Sequence, residues 1–130
     1  MIQMKHALVV ALASVALGGL AHGGFKHSIP VWVDTGYRQA YGALGSVRNS
    51  VDSTQSIGCA LSAWATTVSG SCEARNETGT TAACYFSNNP NLEKALMSLT
   101  PDSWIFFTWS TDGRCEYIQS YTESMLEPKK

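Results

Sequence analysis

The sequence predicts an α+β fold, mostly antiparallel β: a small disulfide-stapled sheet or sandwich of about six short strands with one amphipathic helix at about residues 89–99. Three observations lead there. Aromatic and β-branched runs are separated by polar turns ending in glycine, Asn76-Glu77-Thr78-Gly79 and Ser110-Thr111-Asp112-Gly113. A single stretch, NNPNLEKALMSLTP, has helical spacing with a cap and a stop. Cysteines are even in number, four, and follow an N-terminal segment of secretory type.

That segment bounds the chain first. Lys5 and His6 precede an apolar run from Ala7 to Leu17, broken only by Ser14, and small residues follow at Gly18, Gly19, Ala21, Gly23 and Gly24. This is the order of a signal peptide, with cleavage after Ala21 or Gly23. As a membrane anchor the run is marginal, because the hydrocarbon core is roughly 30 Å thick. The organisation expected is a signal peptide over 1–23, an irregular N-terminal arm over 24–44, and a single disulfide-containing β-rich domain over 45–130. The location expected is secreted or periplasmic. Nine basic residues against ten acidic ones give a formal net charge of −1, which offers no field to gather phosphate backbones or anionic lipid. Nucleic acid is therefore not an expected partner, nor is a membrane once the signal is removed.

Within the arm, Gly and Pro punctuation leaves room for one edge strand at Ile29 to Val33, where Pro30 argues against a central position. Two short strands are expected around Val47 to Val51 and Ser56 to Trp64, with a turn between them. The helix has Asn88 or Asn89 as its cap, Pro90 in its first turn, Glu93 near its N-terminal end and Thr100-Pro101 as its stop. Leu92, Ala95, Leu96 and Leu99 make one apolar stripe, the width that covers one side of a sheet.

Each glycine-ended turn fits a three-residue loop closed by a left-handed glycine, which fixes a register. In the first hairpin Asn76 then pairs with Thr80, and Cys72 falls opposite Cys84. Cys72, Ala74, Ala82, Cys84 and Phe86 share the inner face; Glu73, Arg75, Thr81, Ala83 and Tyr85 share the outer one. In the second hairpin the same rule puts Trp109 opposite Cys115, Phe107 opposite Tyr117 and Ile105 opposite Gln119. Trp104, Phe106 and Thr108 then share a face with Glu116 and Ile118. Both faces of this strand are apolar, so it is packed on both sides or leaves an aromatic patch on the surface.

Cys59, Cys72, Cys84 and Cys115 read as two disulfides rather than zinc ligands, since no Cys-x-x-Cys knuckle is present and His27, with His22, lies at the N-terminal end. Opposite strand positions lie within disulfide reach, so Cys72 to Cys84 with Cys59 to Cys115 is one of three connectivities; Cys72 and Cys84 reaching separately to Cys59 and Cys115 is equally open. The segments GSVRNSVDSTQSIGC, CEARNETG and PDSWIFFTWSTDGRCEYI, with Ser120 and Ser124 ahead of Pro128-Lys129, resemble an uncharacterised family of small secreted four-cysteine bacterial proteins over about Gly45 to Lys129. The resemblance implies a secreted β-rich fold. It implies no activity, cofactor or site residue.

Residue chemistry points away from catalysis. A Ser-His-Asp or Cys-His arrangement needs a histidine base, and from Gly45 onward the chain has none. Asp52, Glu73, Asp102, Asp112, Glu116 and Glu123 are candidates for a carboxylate pair by type only. No Asp-x-Asp-x-Asp-Gly run suggests calcium. Asn76-Glu77-Thr78 fits a glycosylation triplet, yet turn chemistry already accounts for Asn76. No catalytic residue, metal site or cofactor is therefore assigned. Four Trp, five Tyr and four Phe exceed what one helix stripe and two hairpins need. The expected function is a secreted non-enzymatic binding or interaction module that uses sheet aromatics, Trp64, Trp104, Tyr117 and Tyr121, toward an extracellular glycan or protein. The alternatives are an inhibitor presenting a disulfide-braced loop such as Ala65 to Ser71, and a small secreted carboxylate-based hydrolase.

Overall fold

The structure, a computed structural model, describes residues 24–128; the expected signal peptide lies outside the described residues. Seven strands and two helices follow in the order β1 (Trp32–Asp34), β2 (Gln39–Ala43), α1 (Leu44–Asn49), β3 (Ser56–Ala63), β4 (Val68–Arg75), β5 (Thr81–Ser87), α2 (Pro90–Met97), β6 (Trp104–Trp109) and β7 (Cys115–Tyr121). All ladders are antiparallel: a four-stranded sheet in the order β1-β2-β6-β7 and a three-stranded sheet in the order β3-β4-β5.

The core lies between the two sheets. From the four-stranded sheet come Ala40, Ile105, Phe107 and Ile118; from the three-stranded sheet come Cys72, Ala74, Ala82, Cys84 and Phe86. Helix α2 adds Leu92 and Leu96, with Ala95 and Leu99 packed beside them, so its stripe is core as its spacing predicts. Its cap is Asn89, whose side chain accepts from the backbone N–H groups of Asn91 and Leu92, both at 3.2 Å.

The first hairpin has the expected register. Asn76 and Thr80 close the loop, with Asn76 N–H donating to Thr80 O at 3.0 Å, and Gly79 takes φ +88°. Cys72 stands opposite Cys84 and both are buried. The bridges nonetheless run Cys59–Cys72 and Cys84–Cys115. Ladder parity explains why. Asn76 and Thr80 are a hydrogen-bonded pair, so counting in twos makes Cys72 and Cys84 one too, the wider kind of pair. Trp64 N–H donates to Thr67 O at 2.7 Å, and the same count makes Cys59 and Cys72 a non-hydrogen-bonded pair, with side chains closer and Cα atoms 4.0 Å apart. Cys84 is left for Cys115, which the second hairpin brings alongside β5: Tyr85 N–H donates to Gly113 O at 3.1 Å, and Arg114 lies 5.4 Å over the Tyr85 ring.

Four expectations about the fold need correction. The arm is not irregular throughout, because β1 and β2 lie within it and β2 is an inner strand of the four-stranded sheet. Gly42 permits that position: a Cβ there would lie 3.2 Å from Val31 Cγ2. No strand forms at Val47 to Val51: Val47 to Asn49 end α1, and Ser50 and Val51 follow it outside regular structure. Local propensity is overridden by tertiary hydrogen bonds: Leu44 N–H donates to Ser103 O at 3.0 Å, Ser46 Oγ accepts from Ile29 N–H at 3.0 Å, Arg48 donates to Pro101 O, and Asn49 Nδ2 donates to Pro128 O at 2.9 Å. Val68 to Ser71, read as part of a loop, belong to β4.

The fourth correction concerns the second hairpin. Trp109 does face Cys115, but a β-bulge between Thr108 and Trp109 then shifts every pair by one. Thr108 pairs with Tyr117, Phe107 with Ile118, Phe106 with Gln119, Ile105 with Ser120 and Trp104 with Tyr121. Because side chains alternate with period two, one extra residue moves a whole set to the opposite face. Ile118 turns into the core, and Tyr117 and Tyr121 turn out beside Trp104 and Phe106.

Candidate functional site

The outer face of the four-stranded sheet is built by these registers. Directly paired residues share a face, so Trp32 lines up with Tyr41 and Phe106, and Trp104 with Tyr121, while Thr108 lies beside Tyr117. The result is six aromatic rings drawn from four strands. Trp32 and Tyr41 have centroids 5.2 Å apart, Tyr41 and Trp104 6.0 Å, and Trp104 and Tyr121 4.6 Å. That row carries one ring from each strand, at steps close to the spacing of strands in a sheet. Trp104 also meets Phe106 at 5.9 Å, and Phe106 meets Tyr117 edge-on at 5.9 Å.

The rings shield one another but are not covered by any other element of the described fold. Trp32 is 38% exposed and Tyr117 49%, whereas Tyr41, Trp104, Phe106 and Tyr121 are half-buried. Their strand neighbours on the opposite face, Ala40, Ile105 and Phe107, are fully buried. Strand β2 joins the sheet beside β6 instead of lying across it, which leaves this surface open.

The polar groups on the face are Asp34, Gln39, Thr108 and Gln119; its ladder positions carry neither lysine nor arginine. Asp34 is committed to the β1–β2 turn, accepting from Tyr37 N–H at 2.9 Å. Among the described residues, no side-chain hydrogen bond engages Gln39 or Gln119, so each offers an amide donor and acceptor to a ligand. Burial, reinforced by the nearby Glu123 carboxylate, holds the Tyr121 phenol above its ordinary value, so that hydroxyl remains a neutral donor and acceptor.

Of the four residues expected from the sequence, Trp104, Tyr117 and Tyr121 come together here. Trp64 does not: it sits at the β3–β4 turn, 65% exposed, on the other sheet and without a ring partner among the described residues. Trp32, Tyr41 and Phe106, which are not among the expected contact residues, complete the face. A signal for the first two exists in VWVDTGYRQAY, where Asp34-Thr35-Gly36 separates two alternating runs and marks a hairpin.

Two of the carboxylates named from the sequence are tied into turns. Asp52 accepts from Gln55 N–H at 2.7 Å and Thr54 N–H at 2.9 Å, and these backbone bonds, that of Gln55 first, lower its pKa. Asp112 is likewise lowered, chiefly by the Ser110 hydroxyl inside its own turn. An open hollow of about 360 Å³ on the three-stranded sheet contains a single carboxylate, Glu73. Among the described residues, no group of three or more His, Cys, Asp or Glu side chains is placed to hold a metal ion.

Comparison with family models, with curated proteins and with solved structures gave no match. All four cysteines are in disulfides, which fits a protein that folds outside the reducing cytoplasm. No helix among the described residues is long and apolar enough to cross a membrane.

Proposed function

We propose that the protein is a secreted, non-enzymatic binding module that takes neutral saccharide chains on the outer face of its four-stranded sheet. The observation that carries this reading is the uncovered row Trp32, Tyr41, Trp104 and Tyr121, continued by Phe106 and Tyr117. Flat rings on a rigid sheet suit the C–H faces of pyranose units, and a row of successive rings suits a linear chain of them. The unengaged amides of Gln39 and Gln119, with the tyrosine hydroxyls, suit sugar hydroxyl groups. Lack of a cation at the face's ladder positions disfavours acidic polymers, which would need their charge matched. The disulfides and the signal-type N-terminus support an extracellular or periplasmic setting.

A panel of immobilised neutral and acidic oligosaccharides tests this with the wild-type protein and with Trp104→Ala and Tyr121→Ala. The expected result is binding to a neutral member of the panel that falls on the order of tenfold or more in each variant, equivalent to at least about 1.4 kcal/mol. Binding unchanged in both variants, with the thermal transition retained, contradicts the proposal.

A further inference from the structure

Four strands lie at sheet edges, and three of them are guarded. Strand β1 is only three residues long and ends in Asp34. Strand β7 carries a bulge and Glu116. Strand β5 is partly covered by the tip of the β6–β7 hairpin, through the Tyr85–Gly113 backbone hydrogen bond and the Tyr85–Arg114 bridge. Short length, charge, bulges and cover are the usual ways an edge is kept from pairing with another chain.

Strand β3 is neither short, charged nor bulged, and among the described residues nothing hydrogen-bonds to its free edge. It runs eight residues, Ser56-Ile57-Gly58-Cys59-Ala60-Leu61-Ser62-Ala63, without a charge, a proline or a bulge. Trp64 N–H donates to Thr67 O, so Ser62, Ala60, Gly58 and Ser56 bond inward to β4. The backbone groups of Ile57, Cys59, Leu61 and Ala63 therefore point away from the sheet. Among the described residues no backbone or side-chain partner meets them. Leu61 is 38% exposed, and Ala60, Ser62 and Ala63 are exposed as well.

We propose that this edge pairs with the β3 edge of a second copy of the chain, joining two three-stranded sheets into one. The strand is self-complementary. In an antiparallel pairing centred on Ala60, Ile57 meets Ala63 of the other copy and Cys59 meets its Leu61, so every outward N–H and C=O finds a partner. Small side chains allow close approach, and lack of charge removes the self-repulsion that an acidic or basic strand would meet. The twofold axis stands perpendicular to the joined sheet. Both four-stranded sheets then fall on its same side, and their ring faces look the same way, as a bivalent surface requires.

Pairing at Ala60 gives the decisive experiment, because there the residue opposes itself. Protein with both disulfides formed is weighed by sedimentation over a range of concentrations as wild type, Ala60→Glu, Ala60→Lys and an equimolar mixture of the two variants. The expected masses are two chains for wild type, one chain for each variant alone, and two chains for the mixture, where opposite charges face each other. Leu61→Pro removes one outward donor without touching the ladder to β4, and is expected to sediment as one chain with its thermal transition retained. In the wild-type dimer, the amides of Ile57, Cys59, Leu61 and Ala63 exchange slowly, and they become fast on dilution. A wild-type mass of one chain at all concentrations overturns the proposal. So does a two-chain mass in Leu61→Pro, or failure of the mixture to restore pairing while both variants remain folded.

Discussion

Tyr121 shows at the residue scale how the ring face is tied to the fold. Its phenol is pushed above the ordinary value of 10.0, first by burial and then by Glu123. A phenol whose pKa is raised on folding favours the folded state while neutral. That contribution is complete below the unfolded value and is lost as pH rises through the folded one. Stability is therefore expected to decline above about pH 10, and Tyr121→Phe is expected to remove that decline. A pH profile of stability left unchanged by Tyr121→Phe would contradict the burial of the Tyr121 phenol. Asp52 works in the opposite direction, at a turn. Its lowered carboxyl pKa favours the folded chain above 3.8 and ceases to as the pH falls through the folded value. The turn it closes presents Gln55, whose side-chain oxygen accepts from the N–H of buried Val31 at 2.7 Å.

Among elements, α2 was the most legible in the sequence because every local signal agreed: cap, first-turn proline, stripe and stop. Leu96→Ala is expected to cost about 2–5 kcal/mol in a denaturant titration, as truncation of a well-packed buried leucine does. Met97→Ala, one position along and 75% exposed, is expected to change stability by no more than about 0.5 kcal/mol. Equal effects would mean that the stripe does not face the core. The Asn76–Thr80 hairpin was legible for a similar reason, since its turn residues dictate one loop and the loop dictates the register. The register of β7 was not, because a bulge adds a residue without any compositional mark, and Cys115-Glu116 reads as ordinary strand. Helix α1 was also hidden. Its local residues favour no helix, and what holds it are hydrogen bonds to Ile29, Pro101, Ser103 and Pro128, all distant in sequence. The candidate site was half legible: β6 announced an aromatic surface, but its partners from β1 and β2 were read as part of an irregular arm.

For the molecule as a whole, the two bridges play different parts. Cys59–Cys72 joins neighbouring strands of one sheet and spans 13 residues of sequence; Cys84–Cys115 joins the two sheets and spans 31. On chain-entropy grounds each is worth on the order of 3 kcal/mol, with the longer loop ahead by about 0.8 kcal/mol. The Cys84→Ser/Cys115→Ser pair is therefore expected to unfold at lower denaturant than the Cys59→Ser/Cys72→Ser pair, and the reverse order would show that inter-sheet stapling is not the main contribution. Holding the sheets together keeps the inner face of β6 packed, and that packing keeps its outer rings in place. The outer face kept in place this way is the binding surface proposed above. The chain's four tryptophans allow one direct test, because Trp32 and Trp104 lie on the face, Trp64 stands at the β3–β4 turn, and Trp109 packs against the core. The measurement is the indole N–H resonances of all four, followed while a neutral oligosaccharide is titrated in. Trp32 and Trp104 are expected to shift and saturate together while Trp64 and Trp109 stay; movement of Trp64 alone, or of none of the four across neutral oligosaccharides, would contradict binding at this face.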